Sequence, residues 1–293
     1  MPASNARAIC IALLLATMQA ANAGDSASTM GSPMSRSPDG TGRFLAKVML
    51  DGKGPYAFLI DTAATASVLS PAVAVQLQLN PGGSTRVTGG IGSTSRMSVS
   101  IDDYRSGLFD RRNETMTLLS GLSADGVIGM NAFVSRRLEF DLANSEVKAG
   151  ASGPTPDGFV AAQGALQHGI LIVDVIVDGV PARAVVDTGA PYSIGNPQLQ
   201  AALGLKQGDT RLFAGETMVD SLAQELPVSK AMVGKMAIGG VVFAKPMLRF
   251  GKMPVFRAFG LDDGPALILG IDQLSHLDAI AIDYPRAELQ LRP

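Results

Sequence analysis

The sequence predicts a mostly β protein built as two tandem lobes, each a small barrel of short strands with one or two short helices, related by a pseudo-twofold axis. Three observations predict it. Glycine and proline are plentiful, 33 and 17 among 293 residues with 46% hydrophobic residues and no tryptophan, the profile of many short strands joined by turns. The chain beyond residue 42 is written twice, with the same features in the same order in each copy. Two stretches rich in Gly, Ser and Pro, 24–42 and 150–165, stand before the two copies and mark the boundaries.

The first 23 residues have the form of an export signal. Arg7 precedes an almost wholly apolar run from Ile9 to Met18, and Ala21-Asn22-Ala23 supplies small residues for cleavage. The expected mature chain starts near Gly24 and is periplasmic or secreted; an uncleaved N-terminal anchor is the alternative. Cys10, the one cysteine, falls inside this signal, so a mature chain would carry no thiol and no disulfide. No later stretch approaches the roughly 20 apolar residues of a membrane helix. The net charge of −2, without a Lys/Arg run, argues against nucleic acid as a partner. Residues 24–42 read as a flexible leader outside the fold, and 150–165 as a linker between lobes at 43–149 and 166–293. A monomer is expected.

In the first copy, FLAKVML (44–50) meets the turn Asp51-Gly52-Lys53-Gly54, and YAFLI (56–60) runs into Asp61-Thr62-Ala63-Ala64. In the second, ILIVDVIV (170–177) meets Asp178-Gly179, and ARAVV (182–186) runs into Asp187-Thr188-Gly189-Ala190. Each copy then starts a helix with proline at its first position, after Ser70 and after Asn196. Val127-Ile128-Gly129 and Ile268-Leu269-Gly270 correspond, and each copy closes on a strand pair, LEFDLANSEVKA and IAIDYPRAELQL. A duplicated β-lobe explains the matching order economically.

An aspartate at the end of an apolar strand is delivered into the interior, where a lone carboxylate tends to take up a proton. Two lobes packed about a pseudo-twofold can bring Asp61 and Asp187 together, and like charge then forbids double ionisation, leaving an acid beside a base. The following Thr62 and Thr188 can donate and accept at once, and a small third residue allows close backbone approach. Gly189 meets that need. At Ala63 two outcomes are open: with a positive φ the methyl costs on the order of 1 kcal/mol, and with a negative φ it costs little.

These motifs resemble the pepsin and retropepsin aspartic peptidases, specifically bacterial-type single chains with two retropepsin-like lobes. The resemblance covers about 43–149 and 166–293, and rests on the two Asp-Thr motifs, each followed by an apolar-apolar-Gly. It implies an aspartic endopeptidase in which Asp61 and Asp187 hold one water, with Thr62 and Thr188 locking the pair. Ala63 and Gly189 would lie beside the substrate backbone, and Gly129 and Gly270 would support the Asp loops through a psi-shaped crossing. Gly-containing hairpins would cover the cleft, with Gly89, Gly90 and Gly92 in one half and Gly215 in the other as flap candidates. The implied partner is an extended peptide or unfolded protein, without cofactor or metal.

Other chemistries find little in the sequence. His168 and His276 are isolated from any cysteine nucleophile and do not make a zinc site. Asp102-Asp103 and Asp262-Asp263 lack the spacing of a calcium loop, and Asn113-Glu114-Thr115 is a sequon frequent by chance. Two further readings stay open: a peptide-binding protein of the same fold, impaired through Ala63, and a cell-envelope interaction module.

Overall fold

The computed structural model describes residues 29–89, 92–206, 208–220 and 224–293. The export signal, the first residues of the leader and Gly90 lie outside the described residues.

Each lobe starts from the same hairpin. Strand Phe44–Leu50 pairs antiparallel with Lys53–Ile60, and Ile170–Val177 with Val180–Val186. Both turns carry an Asp-Gly with positive φ at each residue, 48° and 73° at Asp51-Gly52, 47° and 84° at Asp178-Gly179. That backbone follows the right-handed twist of the flanking strands, and Asp and Gly tolerate it.

The second strand of each hairpin carries the aspartate and is held from the far side by the apolar-apolar-Gly segment. Gly126–Ile128 runs parallel to Lys53–Ile60 and antiparallel to Val68–Leu69. Ala266–Leu269 does the same between Val180–Val186 and Ile194–Gly195. The chain that leaves each aspartate thus returns on the other side of the crossing strand, and the aspartate loop is pinned at both ends. Helices Pro71–Gln76 and Pro197–Ala202 follow, capped as their sequences indicate: Ser70 Oγ accepts from the Val73 amide and Asn196 Oδ1 from that of Leu199. The second half adds the short helices Val255–Ala258 and Ile271–Leu274.

Six neighbouring strands of a larger sheet join the halves, in the order Met30–Pro33, Glu146–Gly150, Arg137–Asp141, Ala279–Asp283, Glu288–Arg292, Val160–Gln167. At their centre the two closing strands pair antiparallel, Arg137 opposite Asp283, Glu139 opposite Ala281 and Asp141 opposite Ala279, a register that is its own image under the pseudo-twofold. Phe140, Ile280, Ile282 and Leu289 are fully buried there.

The outermost of these six strands depart from the sequence reading. Met30–Pro33 lies in the leader, yet it pairs with Glu146–Gly150, and Ser35–Arg36 pairs with Phe44 and Leu45. Val160–Gln167 begins inside the linker, yet it pairs with Glu288–Leu291 and with Ile170–Val173. Both segments are strands that run ahead of each lobe. Backbone hydrogen bonds hold such a strand whatever its side chains are, so the Gly-, Ser- and Pro-rich surroundings hide it.

Two long hairpins rise from the lobes. Gly83–Thr88 pairs with Ser93–Ser106, its tip closed by the Gly89 amide donating to the Gly92 carbonyl at 2.7 Å. Leu212–Val219 pairs with Glu225–Met232, closed by the Asp220 amide donating to the Gln224 carbonyl at 3.0 Å. The tips meet: a Cβ built on Gly92 would fall 2.6 Å from the carboxamide atoms of Gln224. Gly215, with φ of 97°, sits at a register break in the first strand of the second hairpin rather than at its tip.

Candidate active site

Asp61 and Asp187 occupy equivalent places. The Asp61 amide donates to the Ile128 carbonyl at 3.1 Å and the Asp187 amide to that of Leu269 at 3.0 Å, which fixes each aspartate against the crossing strand of its own lobe. Both side chains are buried, at 1% and 0% exposure.

The threonines tie one loop to the other. Thr62 Oγ1 donates to the Val186 carbonyl at 2.8 Å and accepts from the Thr188 amide at 3.0 Å. Thr188 Oγ1 donates to the Ile60 carbonyl at 2.8 Å and accepts from the Thr62 amide at 3.2 Å. Four buried hydrogen bonds therefore cross between the halves directly beneath the carboxylates. Replacing Thr188 by Val orphans the Thr62 amide and the Ile60 carbonyl at once. Urea unfolding is expected to read a loss of roughly 2–4 kcal/mol, most of it recovered by Thr188→Ser.

The carboxylates themselves are held unequally. Asp187 Oδ1 accepts from the Gly189 and Ala190 amides at 2.8 and 2.9 Å, whereas Asp61 Oδ1 accepts only from the Ala63 amide, at 2.9 Å. Both Oδ2 atoms are buried with no hydrogen-bond partner among the described residues. The two carboxyls interact with each other, and one bridging proton would satisfy both Oδ2 atoms. Burial raises Asp61 well above the usual carboxylate range and the neighbouring charge of Asp187 adds to it. Burial also raises Asp187, to about 7, against the pull of the Ala190 and Gly189 amides.

Gly189 and Ala63 differ for a reason of space. Neither has a positive φ, so the methyl of Ala63 carries no left-handed strain. At Gly189 a Cβ would lie 2.4 Å from both Cγ and Oδ2 of Asp61, so the carboxyl of one lobe rests against the glycine of the other.

Gly129 and Gly270 are required by close backbone approach. A Cβ on Gly129 would fall 2.4 Å from the Ala66 carbonyl carbon, and one on Gly270 2.6 Å from that of Tyr192. Beside them lies a paired feature that the sequence reading missed. Ser67 and Ser193, each six residues beyond its aspartate, accept from the Gly129 and Gly270 amides at 3.1 and 3.0 Å. Their hydroxyls donate to Asn131 Oδ1 at 3.2 Å and Asp272 Oδ1 at 2.7 Å, acceptors two residues beyond each glycine. Aligning the two copies residue by residue exposes both pairs.

Arg43 reaches the Gly189 carbonyl from the N-terminal side, and Gly89 and Gly92 sit in the first hairpin tip. His168 lies in a turn with φ of 51° and His276 against the Gln273 carbonyl, both apart from the aspartates. Among the described residues, no three His, Cys, Asp or Glu side chains gather as metal ligands, and no helix is long and apolar enough to cross a membrane.

No curated protein matches the chain. The family model for aspartyl proteases matches it twice, over residues 46–132 and 173–272, together more than half of its length. Each match contains one Asp-Thr motif, one crossing strand and its glycine. Two matched halves, arranged as two lobes with corresponding Asp loops, make this chain a member of the aspartyl protease family.

Proposed function

We propose that the chain is an aspartic endopeptidase that hydrolyses extended peptides with a water activated between Asp61 and Asp187. The observation that carries this reading is the pair of buried Oδ2 atoms, one from each lobe, without a hydrogen-bond partner among the described residues and so suited to share one proton. The two amides on Asp187 favour its carboxylate, so Asp187 takes the role of base and Asp61 holds the shared proton. The water oxygen attacks the scissile carbonyl carbon as its proton passes to Asp187, while Asp61 gives its proton to the carbonyl oxygen. The resulting gem-diol collapses with cleavage of the C–N bond. The amine leaves with the proton from Asp187, and a hydroxyl returns one to Asp61, so the dyad is regenerated without a covalent intermediate.

The paired hairpins suit an extended substrate, whose backbone can hydrogen-bond to strand edges along the cleft. The negative φ branch at Ala63 removes the backbone argument for an impaired, peptide-binding protein. Export remains part of the proposal, with a mature N-terminus near Gly24 that sequencing of the secreted or periplasmic product would read.

The test is incubation of the mature protein with a mixed peptide library between about pH 3 and pH 9 in ¹⁸O-water. New termini carrying one ¹⁸O in the fresh carboxyl, with no acyl-enzyme, are expected. Peptide binding without cleavage across that range would establish the binding reading instead, and neither activity would favour the interaction module.

A further inference from the structure

Arg43 immediately precedes strand Phe44–Leu50 and is 2% exposed. A guanidinium does not shed its charge, so its burial requires partners. Nε donates to Thr41 Oγ1 at 2.9 Å, Nη2 donates to Ser123 Oγ at 2.7 Å and to the Asp39 carboxylate, and Nη1 reaches the Gly189 carbonyl at 3.4 Å. One side chain thus links the N-terminal segment to the aspartate loop of the opposite lobe. The peptide unit it touches carries the Ala190 amide that donates to Asp187, and the Gly189 amide that also donates is next to it.

We propose that Arg43, with Asp39 as its counter-ion, is a positioning residue that sets how firmly the Asp61/Asp187 pair keeps its shared proton, so that residues 39–43 belong to the working active site. This deepens the peptidase reading and rests on it. The cation lies close enough to favour ionisation of both aspartates. Asp39 is held as an anion: burial resists this, but hydrogen bonds from Thr41 and Arg43 keep its pKa well below the carboxylate range. Tyr284 also senses Asp61: its buried phenol, without a hydrogen-bond partner among the described residues, is pushed upward by burial and then by the charge of Asp61, so it stays neutral. The field at the dyad is therefore that of a cation partly cancelled by the anion paired with it.

Substitutions at the two ends of this ion pair should act in opposite directions. Arg43→Met removes the cation, and the alkaline limb of the rate profile is expected to move to higher pH. Asp39→Asn unmasks the cation, and the limb is expected to move to lower pH. The two midpoints should separate by on the order of half a pH unit. Arg43→Lys keeps the charge and loses the fork, so its midpoint should stay near that of the unmodified chain even where its rate falls. General loosening of the fold cannot produce opposite shifts; midpoints that move together, or not at all, in variants with intact cooperative unfolding would overturn the proposal. Should Arg43→Met fail to fold, the downward shift in Asp39→Asn decides alone.

If the unmodified chain cleaves nothing, the peptidase reading fails, and the inference is read instead from urea unfolding against pH. A carboxyl raised on folding makes stability fall as pH climbs from the unfolded to the folded pKa. That fall should extend to higher pH in Arg43→Met and end at lower pH in Asp39→Asn; coincident curves would refute the role of the ion pair.

Discussion

Asp61→Asn is expected to lower kcat for peptide cleavage by about 10³-fold or more while making the protein more stable at neutral pH. The loss follows from the chemistry, since the amide can neither hold the shared proton nor hand it to the carbonyl oxygen. Asp187→Asn should cost as much, because it removes the base, and the double variant little more than either, as for groups that act as a unit. The gain in stability has the opposite origin. Burial raises the pKa of Asp61 above its unfolded value, so the folded state binds the proton more tightly. Its contribution to stability is greatest below the unfolded pKa and declines as pH rises toward the folded one. Asparagine removes that decline, and the urea midpoint near pH 7 should rise in the same variant that has lost activity. Asn variants that cleave within tenfold of the unmodified chain would remove Asp61 and Asp187 from the chemistry.

The rate profile should be bell-shaped. Only the singly protonated pair carries both an acid and a base, so activity falls at low pH where both carboxyls are protonated and at high pH where the shared proton leaves. With Asp187 raised to about 7 and Asp61 raised well above the usual carboxylate range, both chiefly by burial, the alkaline limb should lie well above the titration of an ordinary aspartate.

What was legible in the sequence is whatever the duplication repeats through side chains. The Asp-Gly turns, the buried strand ahead of each aspartate, the proline-started helices and the apolar-apolar-Gly segments all impose constraints on residue type, and so they survive as pattern. Met30–Pro33 and Val160–Gln167 repeat as well, but through backbone pairing, and a strand that lies in or beside a Gly-, Ser- and Pro-rich stretch reads as leader or linker. Gly215, a flap candidate, does lie in the second hairpin, but at a bulge in its first strand, a place that sequence does not tell from a turn because a bulge glycine and a turn glycine look alike in one dimension. Arg43 left no signal: its partners Asp39, Ser123 and Gly189 come from three separate parts of the chain.

Gly189→Ala is expected to reduce kcat by about 10²-fold or more and to cost roughly 1–3 kcal/mol of stability. The φ of Gly189 would accept a side chain, so backbone strain is not the reason. The added methyl would stand 2.4 Å from Cγ and Oδ2 of Asp61, and the carboxyl, anchored through Oδ1 by the Ala63 amide, can make room only by leaving the position that faces Asp187. The reverse change at the equivalent position of the first lobe, Ala63→Gly, meets no such contact and should cost only about 0.5–1 kcal/mol, from the greater freedom of the unfolded chain. An exactly twofold site would make the two positions answer alike. Here Asp61 leans on the glycine of the other lobe and accepts one amide, while Asp187 accepts two, so tandem copies within one chain have let the two aspartates diverge. Equal losses from the two substitutions would contradict that division, and with it the assignment of the proton to Asp61 and the base to Asp187.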